Sequence, residues 1–251
     1  MKRYFLRLAY NGARFCGWQR QPDALSVQQV IEQALSTVLR VPTPIVGAGR
    51  TDAGVHARCM YAHFDAGAPI ENKSKFLRSL NFMCGSDIAF YELTAVSPEA
   101  HARFDATLRT YKYFLAGRKT PFLNGISYQP PYPLDFRRMN EAAEVLLHCE
   151  DFTSFSKLHT DVKTNICNVS HARWESEGDM QVFTISADRF LRNMVRAVVG
   201  TLLDVGRGKI SIADFRKVIE AKDRCRAGTS MPPQALFLWD IKYPYIRDTV
   251  S

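Results

Sequence analysis

Apolar residues recur along this chain with two periods, and the switches between them mark out its elements. Residues 3 to 10 mix apolar and basic positions and read as a strand. From Ser26 the spacing changes. Val30, Ile31, Ala34, Leu35 and Val38 fall three or four apart, as on one face of a helix, and Ser26 with Gln29 gives the capping-box start signal. Pro42 and Pro44 interrupt the chain. The period returns to two where Met60, Ala62 and Phe64 alternate with Tyr61 and His63, which predicts a strand with one packed face. A short helix around 74–82 and a strand around 88–96 complete a first unit.

The second half opens near Asp105. The run Thr110-Tyr111-Lys112-Tyr113-Phe114-Leu115-Ala116 has strand composition, with Tyr111 and Tyr113 on one face and Phe114 on the other. Residues 117–134 carry Pro and Gly and read as an excursion. Asp135 is placed to cap a helix bearing Met139, Ala143, Leu146 and Leu147. Two strands, 169–176 and 180–187, flank Glu177-Gly178-Asp179 as a hairpin. A helix is expected from about 190 to 205, with an apolar stripe of Leu191, Met194, Val195, Val198, Val199, Leu202 and Leu203. Ser211 and Asp214 open a further helix to about 222, and 235–243 is the last strand. Both halves mix strands and helices without strict βαβ alternation. The expected class is therefore α+β, with mainly antiparallel sheets and a division into residues 1–104 and 105–251.

Bulk properties narrow the partners. Lys and Arg number 33 against 25 Asp and Glu, a net +8 and an isoelectric point near 9.2, which favours a polyanionic partner. No apolar run is long enough to span a bilayer, and Arg7 breaks the apolar N-terminal stretch that a signal peptide would need. A cytoplasmic location is expected. The six cysteines are scattered without a Cys-x-x-Cys pair, so they read as reduced thiols, many buried. Cys59 with His56 and His63 is the best available zinc group, but it lacks the clustering of a metal site. No metal and no small-molecule cofactor is expected.

Candidate chemistry concentrates in Gly49-Arg50-Thr51-Asp52-Ala53-Gly54-Val55-His56-Ala57. Asp52 is the only acid between Glu32 and Asp65, set among small residues with Arg50 two positions before it. The glycines suit a sharp turn or a close approach. A lone carboxylate with space around it and a cation nearby fits a nucleophile. It fits equally an Asx-type turn in which Asp52 only caps the next segment of chain. In the helix near 190–205, Arg189 and Arg192 read as a solvated basic face. Arg196 adjoins the apolar stripe and there calls for an anionic or hydrogen-bonding partner.

The order of motifs separates these readings. Tyr10-Asn11-Gly12-Ala13-Arg14-Phe15-Cys16-Gly17-Trp18-Gln19-Arg20-Gln21, the Asp52 stretch, Ala100-His101-Ala102-Arg103-Phe104-Asp105-Ala106 and Arg109-Thr110-Tyr111-Lys112-Tyr113 come in turn. After them stand Phe190-Leu191-Arg192-Asn193-Met194-Val195-Arg196 and Ala235-Leu236-Phe237-Leu238. This series, from residue 10 to residue 238, resembles the TruA family of tRNA pseudouridine synthases. The resemblance implies the pseudouridine synthase fold with a cleft between its halves, and an isomerase acting on positions 38 to 40 of the tRNA anticodon arm. It implies a homodimer with tRNA as partner and no membrane association. It assigns Asp52 as the catalytic carboxylate, Arg196 as its partner, Tyr111 as the ring stacking on the target uracil, and Leu236, in preference to Leu238, as the apolar wall. Arg50 would fill the space of the flipped base or hold phosphates. Arg14, Arg78 and Arg103, with Arg20 and Lys75, would track the RNA backbone.

One position departs from the family pattern. After Lys163-Thr164 the family usually carries an arginine, where this chain runs Asn165-Ile166-Cys167-Asn168. Two other classes compete. One is a catalytically silent tRNA-binding protein, against which Asp52, Tyr111 and Arg196 stand together. The other is an aspartate-nucleophile hydrolase of a small glycoside, which needs a second carboxylate that no acid near Asp52 in sequence supplies.

Overall fold

The computed structural model describes residues 1–157 and 164–246. The chain divides into two compact units, Met1–Thr107 together with the chain from Leu238 on, and Leu108–Phe237. This departs from a simple split into 1–104 and 105–251: the last strand returns to the first unit. Strand pairing is mainly antiparallel, and the class is α+β.

In the first unit the strands are β1 (Lys2–Tyr10), β2 (Val46–Gly47), β3 (His56–Ala66), β4 (Ile88–Ala95) and the end of β8 (Leu236–Lys242), in the order β4-β1-β3-β8 with β2 beside β3. The helices are α1 (Val27–Leu39) and α2 (Lys73–Met83). Ser26 caps α1 by accepting from the Gln29 amide at 3.2 Å, and Asn72 caps α2 through Lys75. Alternation puts Tyr4, Leu6, Met60, Ala62 and Phe64 on one face, where Phe64 stacks on Phe76 of α2 at 6.0 Å. The opposite face carries Phe5, Tyr61 and His63, joined by Tyr243 and Tyr245. Arg3 and Asp65 close that face with two parallel 2.8 Å bonds.

The second unit holds β5 (Leu108–Ala116), β6 (Val169–Glu177) and β7 (Met180–Ala187) in the order β5-β7-β6, with α3 (Phe136–Val145), α4 (Met194–Gly206) and α5 (Ile212–Glu220). Asp135 caps α3 and Ser211 with Asp214 forms a full capping box on α5. Asn140 of α3 bonds the Trp174 backbone on both sides, at 2.7 and 3.1 Å, tying helix to sheet. The helix expected from 190 begins at Met194 instead. Asn193 sits in the left-handed region at φ 66°, and the Met194 amide bonds Leu191 O as a turn, so Phe190 to Asn193 lie outside the helix. Nor is α4 merely striped: eleven of its thirteen residues are buried, because loop 224–232 covers the side that Gly200 and Thr201 present.

His63 offers a check on the first unit's packing. Its Nδ1 accepts the Ala102 amide at 3.1 Å in a buried site. Burial above all, with the Arg3 charge and His101, holds the ring at about 4, below its usual 6.5. The unfolded chain takes up this proton near pH 6.5 and the folded chain only near 4, so the stabilisation is complete above 6.5 and fades as pH falls through that window. We expect on the order of 1–2 kcal/mol to be lost there through this group. Thermal unfolding of wild type and His63→Gln from pH 7 to 4 measures it. The Gln oxygen still accepts a hydrogen bond without titrating, so parallel pH curves for the two proteins would remove His63 as the cause.

Candidate active site

Asp52 lies in the turn linking β2 to β3, where the Val55 amide bonds Asp52 O at 3.2 Å. It is half-buried, Arg50 and Ala53 on either side are exposed, and Thr51 is buried. Gly54 makes the turn at φ 76°. Gly49, expected to serve the same end, has neither a positive φ nor a crowded Cβ direction.

The N-terminal motif fixes this turn, and its glycines are the means. A Cβ on Gly17, which has φ 88°, would stand 2.4 Å from Thr51 O and 3.1 Å from the Asp52 carbonyl carbon. One on Gly12 would stand 2.0 Å from Val55 O. The backbone of residues 12–18 therefore lies directly against that of residues 51–55. Hydrogen bonds lock the contact: Trp18 N–H to Thr51 O at 3.2 Å, Gly54 N–H to Phe15 O at 3.3 Å, and Tyr10 Oη with Thr51 Oγ1 at 2.8 Å. The Gly12 amide donates to His56 Nδ1 at 3.1 Å in a buried site, so this histidine is a prop for the turn. The sequence pattern reveals the motif but not this propping role.

In the second unit, Tyr111 stands half-buried on β5 with its ring edge-on to Phe190 at 5.0 Å. Tyr113, on the same face, is fully buried, its pKa driven upward by burial, and its hydroxyl donates to Pro232 O at 3.1 Å. Arg196, in the first turn of α4, is half-buried and donates from Nε to Met231 O at 2.6 Å, while the Met231 amide bonds Arg196 O at 3.1 Å. The Nε bond orients the guanidinium, and the backbone bond fixes Met231 against α4. Its frame is loop 224–232, held to α4 at a glycine crossing: a Cβ on Gly200 would stand 1.9 Å from Thr229 O, and the Gly228 amide donates to Thr201 Oγ1 at 2.9 Å. Ser230 Oγ receives Asn193 Nδ2 at 2.6 Å and Arg224 at 2.8 Å. Ser230, Met231 and Arg224 escaped the sequence reading, since a backbone carbonyl and a loop serine carry no pattern.

The other expected residues divide between the units. Arg50, Asp52, Arg14, Arg78 and Arg103 belong to the first unit, and Tyr111, Arg196 and Leu236 to the second. Leu236 and Leu238 are both buried. Arg78 and Lys75 are exposed on α2. Arg14 meets Asp87 at 3.3 Å and Arg20 meets Glu32 at 3.8 Å, so each already has an acidic neighbour. Cys167 is buried, its thiol pushed up to about 12 by burial, and packs where a phosphate could not reach it. Lys163 lies outside the described residues. Burial likewise raises Cys59 to about 11, which keeps it a thiol at neutral pH.

Comparison with known proteins bears on all of this. Residues 142–244 match the family model described as tRNA pseudouridine synthase. The tRNA pseudouridine synthase A of Parabacteroides distasonis is 61% identical over 97% of each chain, and that of Bacteroides fragilis 57% over 97% of each. A more distant relative of the same name, from Bacillus licheniformis, is 38% identical over 94% of this chain and 97% of its own.

The backbone contact at Gly17 can be isolated by comparison with Gly85. Both have positive φ, 88° and 69°, but the Cβ direction at Gly85 is open. Gly85→Ala should lose only about 1 kcal/mol, from the left-handed conformation. Gly17→Ala adds a clash with backbone and should lose roughly 2–4 kcal/mol in urea unfolding. Equal losses would mean that residues 12–18 do not bear on the Asp52 turn.

Proposed function

The chain belongs to the tRNA pseudouridine synthase family, and on that footing we propose that it isomerises uridine at positions 38 to 40 of the tRNA anticodon arm, with Asp52 as the catalytic carboxylate. The observation that carries this reading is the rigid, propped turn that presents one half-buried carboxylate between exposed Arg50 and Ala53.

The reaction breaks the C1′–N1 bond, turns the freed uracil and joins C5 to C1′. N1 gains a proton and C5 loses one, so the product is an isomer of the substrate and no redox partner or energy source enters. Asp52 either bonds to C1′, forming an ester that C5 later displaces, or removes a proton from C2′; both routes need it ionised. Arg196, its guanidinium aimed by Met231 O, is its partner. Tyr111 stacks on the uracil and can take the C5 proton, and Leu236 closes the apolar side. Flipping the target uridine costs a few kcal/mol, and Arg50 occupies the space it leaves. Arg14, Arg78 and Arg103 hold phosphates. In this reading residues up to 104 carry the nucleophile and those from 105 carry Tyr111 and Arg196. The enzyme works in the cytoplasm as a homodimer with tRNA across both subunits, and needs no cofactor.

Asp52→Asn should keep the fold and tRNA binding but lower turnover by on the order of 10⁴-fold or more. Carbodiimide labelling of pseudouridine in an unmodified tRNA reads both the activity and the modified position. A variant within tenfold of wild type would end the assignment of Asp52. A silent tRNA-binding protein would give no labelling with either.

Arg78 and Arg196 should respond in opposite ways. Arg78→Gln should weaken tRNA binding and flatten its salt dependence by roughly one unit of slope per lost phosphate contact, less on single strands. Arg14→Gln should do so more weakly, because Asp87 already meets part of that charge. Arg196→Ala should slow the single-turnover chemical step while the salt slope holds. If it flattens the slope as Arg78→Gln does, Arg196 is a phosphate contact and its pairing with Asp52 falls.

A further inference from the structure

The turn Ala100–Ala106 is bound far more tightly than a surface loop needs. The amides of Arg103 and Phe104 both donate to His101 Nδ1, at 3.1 and 3.3 Å. Ala102 is gripped on both sides, its amide by His63 Nδ1 at 3.1 Å and its carbonyl by the Tyr243 hydroxyl at 2.5 Å. Asp105 Oδ2 receives the His101 amide at 2.8 Å and the Tyr245 hydroxyl at 2.6 Å, and Arg3 donates to Ala100 O at 3.1 Å. The His63 and His101 rings meet edge-on at 4.7 Å. Burial disfavours the charged form of both, so each Nδ1 remains an acceptor at neutral pH.

This seat presents Phe104. Phe104 is 74% exposed, its ring backed by the His101 ring at 4.3 Å, with the Arg103 guanidinium over it 5.7 Å from the centroid. Phe104 contributes little burial to the fold, yet the backbone beneath it is fixed from five other side chains. An exposed aromatic ring with a cation over it has the chemistry of a nucleobase platform: the ring stacks on a base of any identity, and the arginine reaches the adjoining phosphate. The net charge of +8 favours the same polyanion.

We propose that Phe104 with Arg103 is a stacking site for an unpaired nucleobase of the bound RNA, held in place by His101 and His63. The proposal rests on tRNA as the substrate. It adds a contact that reads the RNA's unstacked bases, distinct from the target uracil and set beside the phosphate contact already given to Arg103.

The test uses unmodified tRNA, fluorescence anisotropy across a salt series, and the full chain as wild type, Phe104→Ala and Phe104→Trp. Phe104→Ala should bind roughly 5- to 100-fold more weakly with the salt slope unaltered, because a stacked base releases no counterion. Phe104→Trp should restore binding or exceed wild type. Thermal unfolding should stay put in both variants, since the ring is exposed. Phe104→Ala binding within twofold of wild type would overturn the proposal while leaving the synthase reading intact. So would a Phe104→Ala chain whose sedimentation shows a changed oligomeric state, which would assign the ring to a contact between copies. If wild type itself neither binds nor modifies tRNA, the synthase reading fails and this one with it.

Discussion

The Asp52 turn depends on one constraint, the direct apposition of two backbones. Residues 12–18 lie on residues 51–55 with no side chain between them, and the separation is set by the absence of a Cβ at Gly12 and Gly17. The other contacts around the turn depend on that distance. Thr51 can reach Tyr10, His56 can take the Gly12 amide, and Gly54 can bond Phe15. A carboxylate whose backbone is held this way has only its side-chain torsions left to set, and positioned groups gain most over free ones.

The second unit reaches the same end by the same device. Gly200 and Gly228 let loop 224–232 come down on α4, and the Met231 carbonyl then orients Arg196. In the second unit a charged group is aimed by a backbone carbonyl, in the first the backbone that carries one is fixed, and in both glycine allows the approach. Backbone groups have fewer torsions to lose than side chains do, so a frame made of them is stiff.

The elements were legible where local chemistry decides them. Ser26, Asp135 and Ser211 cap the helices their spacing announced, and the hairpin turns at Gly178 as expected. The start of α4 was not legible, because it depends on Asn193 taking a left-handed conformation that nothing in the apolar period encodes. Nor was the burial of α4 on nearly all sides, which is a property of the covering loop. Gly49 looked as constrained as Gly54 and is not; only the backbone conformation distinguishes them. Of the site, the motifs marked Asp52, Tyr111 and Arg196 as the residues to examine. The supports, Met231 O, Ser230, His56 and the turn at 100–106, are backbone groups or side chains whose partners lie far along the chain.

The return of the last strand to the first unit has a consequence for how the molecule is made. The second unit is one continuous stretch, Leu108–Phe237, so all its residues have emerged before those that complete the first unit. The first unit is not continuous. Its strand β3 waits for β8, and Tyr243 and Tyr245, which hold Ala102 and Asp105, arrive later still. The part synthesised first is thus the part finished last. Until then β3 offers an edge that β2 covers only at Ala62 and His63, and Arg58, which ends stacked on Trp239 at 4.4 Å, stands there as a charged guard against premature pairing with another chain.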